Sequence, residues 1–345
     1  DIALEFGLFD RLTGTIEYFK KDSKDLLFDV SQPASVGVTS IIQNIGKVTN
    51  SGVEIELDYN AFKNKDWSVS VGANATFVKN KIKNLPATMK ENGYISGSKK
   101  WLEGKSIYEF WLRQWHGVDP QTGDGLYVAD VSKYNQGNIG TGDGNITQSQ
   151  FDEYKKTVVT IDGKELTNSY TYAKYDFSGS SIPDVYGGFN VRVSYKSFDL
   201  AAVFSYQLGG QILDTNYATM MSMTEFGYAQ SPDLLKAWKQ AGDITEVPRI
   251  DNSAAHTTNI GQSYSTRWLT SSDYLNLRSV TIGYQLPKTW LSKVMLKSAR
   301  LNLTAENLFM LKARQGLNPM ANYSGVTYNE YMPSRNITLG LNVSF

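Results

Sequence analysis

Cysteine is absent from all 345 residues, which excludes a disulfide framework and any thiolate nucleophile or thiolate metal site. Histidine is nearly absent. His116 and His256 stand far apart, each without a ladder of Cys, His or carboxylate partners, so neither offers a metal or acid–base centre by spacing. Charge of one sign is missing too: Lys+Arg and Asp+Glu each total 34, which leaves no basic footprint for nucleic acid. No apolar run approaches the roughly 20 residues a membrane helix requires. There is no initiator Met and no basic-then-apolar leader, and we read the chain as a piece of a longer protein whose signal peptide would lie elsewhere.

Aromatic residues, by contrast, reach 12%, with 21 Tyr, while mean hydropathy is −0.34. That combination suits a water-soluble protein, and equally a transmembrane β-barrel, whose every second strand residue faces a wet lumen. Strict two-residue alternation recurs along the chain. In "NSGVEIELDYNAF", Val53, Ile55, Leu57, Tyr59 and Ala61 oppose Glu54, Glu56, Asp58 and Asn60. "WSVSVGANATFV" sets Trp67, Val69, Val71, Ala73, Ala75 and Phe77 against Ser68, Ser70, Gly72, Asn74 and Thr76. "GFNVRVSYK", "FDLAAVFSYQL" and the closing "RNITLGLNVSF" continue the pattern, and residues 2–9, 12–21, 106–117, 275–286 and 299–309 are further strand candidates.

Such alternation also fits a β-sandwich. Three details favour a transmembrane antiparallel β-barrel. The strands run about 9–14 residues, against about 5–6 in globular sheets and about 9–11 for tilted membrane strands. Aromatics sit at both ends of one face: Trp67 and Phe77 are about 33 Å apart along an extended strand, or roughly 25 Å after a tilt near 40°, the height of an outer-membrane apolar band. Connections also alternate. Asp10–Arg11, Lys63–Asp66 and Ser197 are tight turns, whereas long polar stretches lie near 22–49, 80–105, 132–183, 209–273 and 310–334. An additional strand at Gly125–Val131 ("GLYVADV") keeps the alternation of short and long connections, giving about 10–11 strands and placing Phe345 on the short-turn side, which faces the periplasm in bacterial barrels.

Motifs for chemistry are sparse. "GTGDGNIT" (Gly140 to Thr147) is similar to the middle of a calcium loop, but the first and twelfth ligand positions fall on Ile139 and Gln150. A structural calcium held by Asp143 and Asn145 with Asp130 is one reading, and an ordinary Gly-rich turn the other. No cofactor is required by either. "SPDLLKAWKQAG" reads as a short helix with Ser231 as N-cap and an apolar face of Leu234, Leu235 and Trp238. Trp101, Trp111, Trp115, Trp238 and Trp268 could stack on sugar or peptide ligands, or serve as girdle or loop-core residues. Nothing specifies a glycosidase pair or another catalytic set.

"NIGKVTNSGVEIELDYN", "GKSIYEFW", "HGVDPQTGDGLY", "SIPDVYGGFNVRVSYKSFDLAAVFSYQLGG", "SDYLNLRSVTIGYQLP", "ARLNLTAENLFML" and the terminal Phe345 together resemble, in order, the C-terminal half of SusC/RagA-type TonB-dependent outer-membrane transporters of Bacteroidetes. The resemblance covers nearly the whole chain, residues 1–345, as part of one barrel domain. It implies half of a 22-stranded barrel whose N-terminal plug is absent here. It implies active import across the outer membrane, without covalent chemistry, of an oligosaccharide or peptide passed on by a SusD-like surface lipoprotein. Energy would come from TonB with ExbB and ExbD, reached through the missing N-terminal part. Phe345 resembles the terminal aromatic read by the barrel-assembly machinery. The family's "GDG-I-T" loop matches residues 142–147 in part, after an inserted "SKYNQGNIGT". The competing expectations are a passive porin and a secreted β-sandwich that binds or cleaves glycans.

Overall fold

The computed structural model describes residues 1–345 apart from 32–39, 143, 223–226, 228, 252, 254–255, 257–258, 262–263 and 293–295. Its main sheet has ten strands, nine of them in one antiparallel path. These nine are β1 (Ile2–Leu8), β2 (Leu12–Ser31), β3 (Ser40–Lys63), β4 (Trp67–Asn84), β5 (Val185–Tyr195), β6 (Phe198–Leu208), β7 (Tyr274–Gln285), β8 (Ser298–Glu306) and β9 (Asn336–Ser344). The tenth, Met310–Lys312, pairs with the start of β7, beyond the end of β8. Among the described residues no helix is long and apolar enough to cross a membrane.

Register turns the alternation of single strands into continuous rows. Val53 pairs with Tyr18 and Phe77, Leu57 with Ala73, Ala73 with Phe189, Phe189 with Phe204, and Leu303 with Ile282 and Leu339. All project to one side of the sheet. That side keeps large apolar groups uncovered, including Leu4, Ile282, Leu303, Leu339 and Leu341. In water so wide an oily face would be an aggregation hazard; against hydrocarbon it is the stabilising surface. Trp67, Tyr195, Phe198 and Tyr284 make a row of successive cross-strand partners at the short-turn end. Trp67 and Tyr195 rings lie 4.3 Å apart, and Phe198 and Tyr284 rings 4.4 Å. This is an aromatic girdle in the sense of outer-membrane barrels.

The all-β expectation and the sheet of staves hold, with three corrections. Residues 106–117 are not a stave. They form two short strands, Glu109–Arg113 and Trp115–Val118, in separate four-stranded sheets. Gly125–Val131 supplies a strand at Gly125–Val128, but it joins the second of those sheets. Chain direction still alternates correctly, because β4 passes directly to β5 as sheet neighbours. The excursion between them therefore removes the one expected stave and needs no added one. The third correction concerns 22–49: β2 and β3 remain paired across most of it, from Asp22↔Thr49 to Ser31↔Ser40, with register shifts around Leu26. Backbone pairing persists there although the side-chain alternation fades, since above the membrane no lipid demands one oily face.

The three long connections share a core. Phe110 and Leu112 from the first, Leu213, Met221 and Trp268 from the second and Val326 from the third form one buried cluster. Leu213 N–H donates to Gly325 O at 2.8 Å, and Thr327 N–H donates back to Leu213 O at 3.2 Å. A second cluster of Val48, Ile82, Leu85 and Met89, with Trp101 and Ile107 against it, seats this loop structure on the tops of β3 and β4.

Candidate functional site

The wall opposite the oily face is largely polar, with Phe19 and Val78 near its top and Ala201 and Val203 on β6 among its apolar members. On β1 to β3, Glu5 pairs with Thr15, Thr15 with Glu56, Thr13 with Asp58, and Glu17 directly with Glu54. Glu5, Thr13, Thr15, Glu56 and Asp58 line a depression of about 560 Å³. Like charges placed directly opposite on a sheet are destabilising, so this acidic strip fits a water-filled face and no packed core. Further along, Thr281 and Thr304 hydroxyls lie 3.0 Å apart across the strands, and Asn74 Oδ1 accepts from Gly188 N–H at 2.8 Å. Asn74, Thr76, Asn302 and Thr304, the polar positions of two stretches with the form of glycosylation sequons, are therefore inner-wall residues.

Glycines on this wall let polar side chains meet over a strand. Gly283 lies between Asp199 on β6 and Asn302 on β8. Arg300 donates through Nε to Asn302 Oδ1 at 2.8 Å and through Nη2 to Asp199 Oδ2 at 2.6 Å. A methyl group at Gly283 would stand 2.3 Å from Arg300 Nη2 and 2.6 Å from Asp199, so only glycine admits this bridge. Gly72 on β4 is equally crowded: a methyl there would meet Asp58 Oδ1 and Asn190 Nδ2, from the strands on either side, at 2.6 Å each. A glycine at an inward position of an alternating strand is the sequence signal for such close approach of side chains.

Above the wall, polar groups organise the loop structure. Asn80 on β4 donates to Asn50 Oδ1 at 2.7 Å and accepts from Ser106 Oγ and Ile107 N–H, each at 3.0 Å. The start of the first long connection is thereby fixed to the wall. Asp214 caps the helix Thr215–Met220 by accepting from Tyr217 N–H at 3.0 Å. It is 4% exposed and pairs with Arg314, whose guanidinium lies 3.5 Å from the Tyr217 ring centroid. Burial pushes Arg314 down to about 10, still a cation at neutral pH. Tyr217 donates to Asp233 Oδ2 at 2.8 Å; burial first, then that carboxylate, pushes its hydroxyl up to about 12. A cavity of about 670 Å³ opens here, bordered by Asn216, Tyr217, Asp233, Arg314, Asn318 and Tyr331. These donors, acceptors and aromatic faces suit a polar ligand held without covalent chemistry. Sequence reasoning missed the Asp214–Arg314 pair, which joins two different loops and leaves no local pattern.

The residues singled out from sequence divide among these places. Asp130 Oδ1 accepts from Ser132 Oγ at 2.7 Å and from Lys133 N–H at 3.1 Å, closing a local turn. Asn145 is exposed, just before Thr147, which caps helix α1 (Gln148–Thr157) reciprocally with Gln150. Asp143 lies outside the described residues. Among the described residues no three His, Asp or Glu side chains gather as metal ligands. His116 is exposed, while His256 is buried with Nε2 2.8 Å from Arg249 O. The expected helix at Ser231 shortens to a 3-10 segment, Pro232–Lys236, and Leu235 is 78% exposed and off its packed face. Trp111 stacks with Tyr175 and meets Phe177 edge-on; Trp115 packs on Tyr127, and Trp238 Nε1 donates to Pro120 O at 2.9 Å. Trp101 and Trp268 belong to the two apolar clusters. These five tryptophans are loop-core residues, whereas Trp67 is a girdle residue. Phe345 follows β9 at the short-turn end and is 79% exposed.

A family model described as "TonB dependent receptor-like, beta-barrel" matches residues 1–308. The chain is similar to TonB-dependent receptor P3 of Formosa agariphila, 28% identical over 364 residues, covering 100% of this chain and 34% of that protein. It is also similar to TonB-dependent receptor SusC of Bacteroides thetaiotaomicron, 24% identical over 358 residues, covering 99% of this chain and 31% of that protein. Among solved structures it is similar to the RagAB peptide importer in its closed-closed state, with TM-score 0.77 and 25% identity, covering 99% of this chain and 35% of that one. The chain thus spans about a third of the length of the proteins it matches.

Proposed function

The chain belongs to the TonB-dependent receptor β-barrel family of outer-membrane proteins, and from that membership we propose that it is the wall and loop portion of an active importer of oligosaccharides or peptides. It is a transport protein and not an enzyme. The observation that carries the reading is the pairing of an apolar outer face with a largely polar inner wall, topped by three loops folded on one core. Such a wall offers a hydrated path, and the loop cavity beside Tyr217 and Arg314 offers a polar capture site at its mouth. Energy would come from TonB with ExbB and ExbD through the part of the protein outside this chain. A SusD-like lipoprotein would deliver the substrate to the loops, as the likeness to the peptide importer and to SusC suggests.

A strain lacking the full-length gene, fed in turn with glycans and with peptides, tests this. Uptake of one class should disappear, and in the intact strain a protonophore should abolish the same uptake. Unchanged uptake of every candidate would refute import, and uptake indifferent to the protonophore would make the barrel a passive pore. A structural calcium at Asp130, Asp143 and Asn145 is a separate proposal resting on the sequence pattern. If it is right, chelation lowers the unfolding temperature of the full-length receptor and added calcium restores it.

A further inference from the structure

Beyond the apolar band, the outer face of β2 to β4 changes character. The row above Tyr18, Val53 and Phe77 consists of Lys20, Ser51 and Lys79, paired in register. The next is Asp22, Thr49 and Lys81. Lys20, Lys79 and Lys81 are exposed, and none of the three enters an ion pair among the described residues. The one carboxylate on the patch, Asp22, is already occupied: Thr49 Oγ1 donates to it at 2.7 Å, and Lys47 Nζ lies 3.1 Å away.

Height decides what these lysines meet. Each two-residue step along a strand advances about 6.6 Å, or about 5 Å along the membrane normal at a tilt near 40°. Lys79 therefore stands about 5 Å and Lys81 about 10 Å beyond the Phe77 level, within the polar layer that borders the hydrocarbon. They continue the lipid-facing column of their own strand, not the inner wall. Neighbouring staves show no such patch: Asp184 precedes β5 and Asp273 precedes β7. At the opposite rim of the same strands, Arg11, Lys63 and Lys65 are mixed with Asp10 and Asp66. Lysine stems lie along apolar surface while their ammonium heads reach outward, and three mobile point charges without a fixed fork suit phosphate oxygens.

We propose that Lys20, Lys79 and Lys81 bind the phosphate of an outer-leaflet lipid headgroup, seating one anionic lipid against β2 to β4. Native mass spectrometry of the full-length receptor in detergent, titrated with phosphorylated lipid A and with the same lipid after enzymatic dephosphorylation, tests it. The wild type should prefer the phosphorylated lipid. Lys20→Gln, Lys79→Gln and Lys81→Gln together should weaken its binding by roughly a hundredfold, at about fivefold per lysine near an anionic headgroup. Lys21→Gln, which removes one charge from the opposite face, should change nothing. Inorganic phosphate should not displace the lipid; displacement would make the site one for free phosphate and overturn the proposal. Equal affinity of the wild type for both lipids would also overturn it, whether or not the triple variant assembles. So would unchanged binding by an assembled triple variant.

Discussion

Asp214 and Arg314 come from separate loops and meet in a buried place between the Tyr217 ring and Thr327, whose hydroxyl lies 3.3 Å from Asp214 Oδ1. Removing one member of a buried ion pair leaves an uncompensated charge and costs about 3 kcal/mol. Arg314→Ala should therefore loosen both loops while leaving the barrel intact. Hydrogen exchange on the full-length receptor should show lost protection around Leu213 and Val326 and none in β4 to β6; unchanged loop protection would show that the pair adds no stability. Lys99 gives a pH dependence. Its ammonium donates to Tyr108 O at 2.9 Å and stands 3.1 Å from the Phe110 ring centroid, contacts that favour the charged form, but burial outweighs them and pushes it down to about 7. Between about 7 and lysine's ordinary 10.5 the unfolded chain holds a proton that the folded chain has released, so stability rises with pH across that window. Tryptophan-detected thermal unfolding should follow this slope, and Lys99→Met should flatten it. An equal slope in the variant would assign the dependence elsewhere. Neither the pair nor the buried lysine was legible in the sequence: Asp214 and Arg314 meet across two separate loops, and Lys99 is covered only once its strand pairs with Phe110.

At the scale of elements, what the sequence made readable was the boundary between lipid and water. The membrane part of β4, residues 67 to 77, and β9 have one face in each medium, so their period of two is nearly unbroken. The same period misled at 106–117. There Phe110 and Leu112 alternate with Glu109, Trp111 and Arg113 because they fill a protein core, both 0% exposed. Alternation reports two unlike sides without saying whether the oily one meets lipid or protein. The assigned sides can be separated by experiment on β9. Leu339 pairs with Leu303 on the outer face and Thr338 with Thr304 on the inner. Leu339→Arg should cost about 2–4 kcal/mol in the midplane of the bilayer and cut the yield of heat-modifiable, folded receptor. Thr338→Arg should be much milder, since its guanidinium enters water. Comparable losses from both would reject the two faces.

For the whole molecule, the decisive feature is that the main sheet begins at β1 and ends at β9 without the two pairing with each other. Each edge strand presents a row of unpaired N–H and C=O groups, and in hydrocarbon every such group costs several kcal/mol. The apolar column of β9, including Ile337 at 72% and Leu339 at 74% exposure, stands beside one of those edges. A sheet of this kind is stable in a bilayer only when further strands complete the circle, so its stability belongs to the closed barrel and not to these residues alone. The loop core does not remedy this, because its second cluster seats on the tops of β3 and β4, and among the described residues no strand pairs with the open edges of β1 and β9. Refolded by itself into detergent, the 345-residue chain should therefore form polydisperse aggregates by light scattering and show no heat-modifiable monomer on gels. Refolding together with the remainder of the receptor should recover that band, since the missing strands would satisfy both edges at once. A monodisperse monomer from the isolated chain would mean that β1 and β9 find each other, and the open sheet would then be wrong as the chain's membrane form.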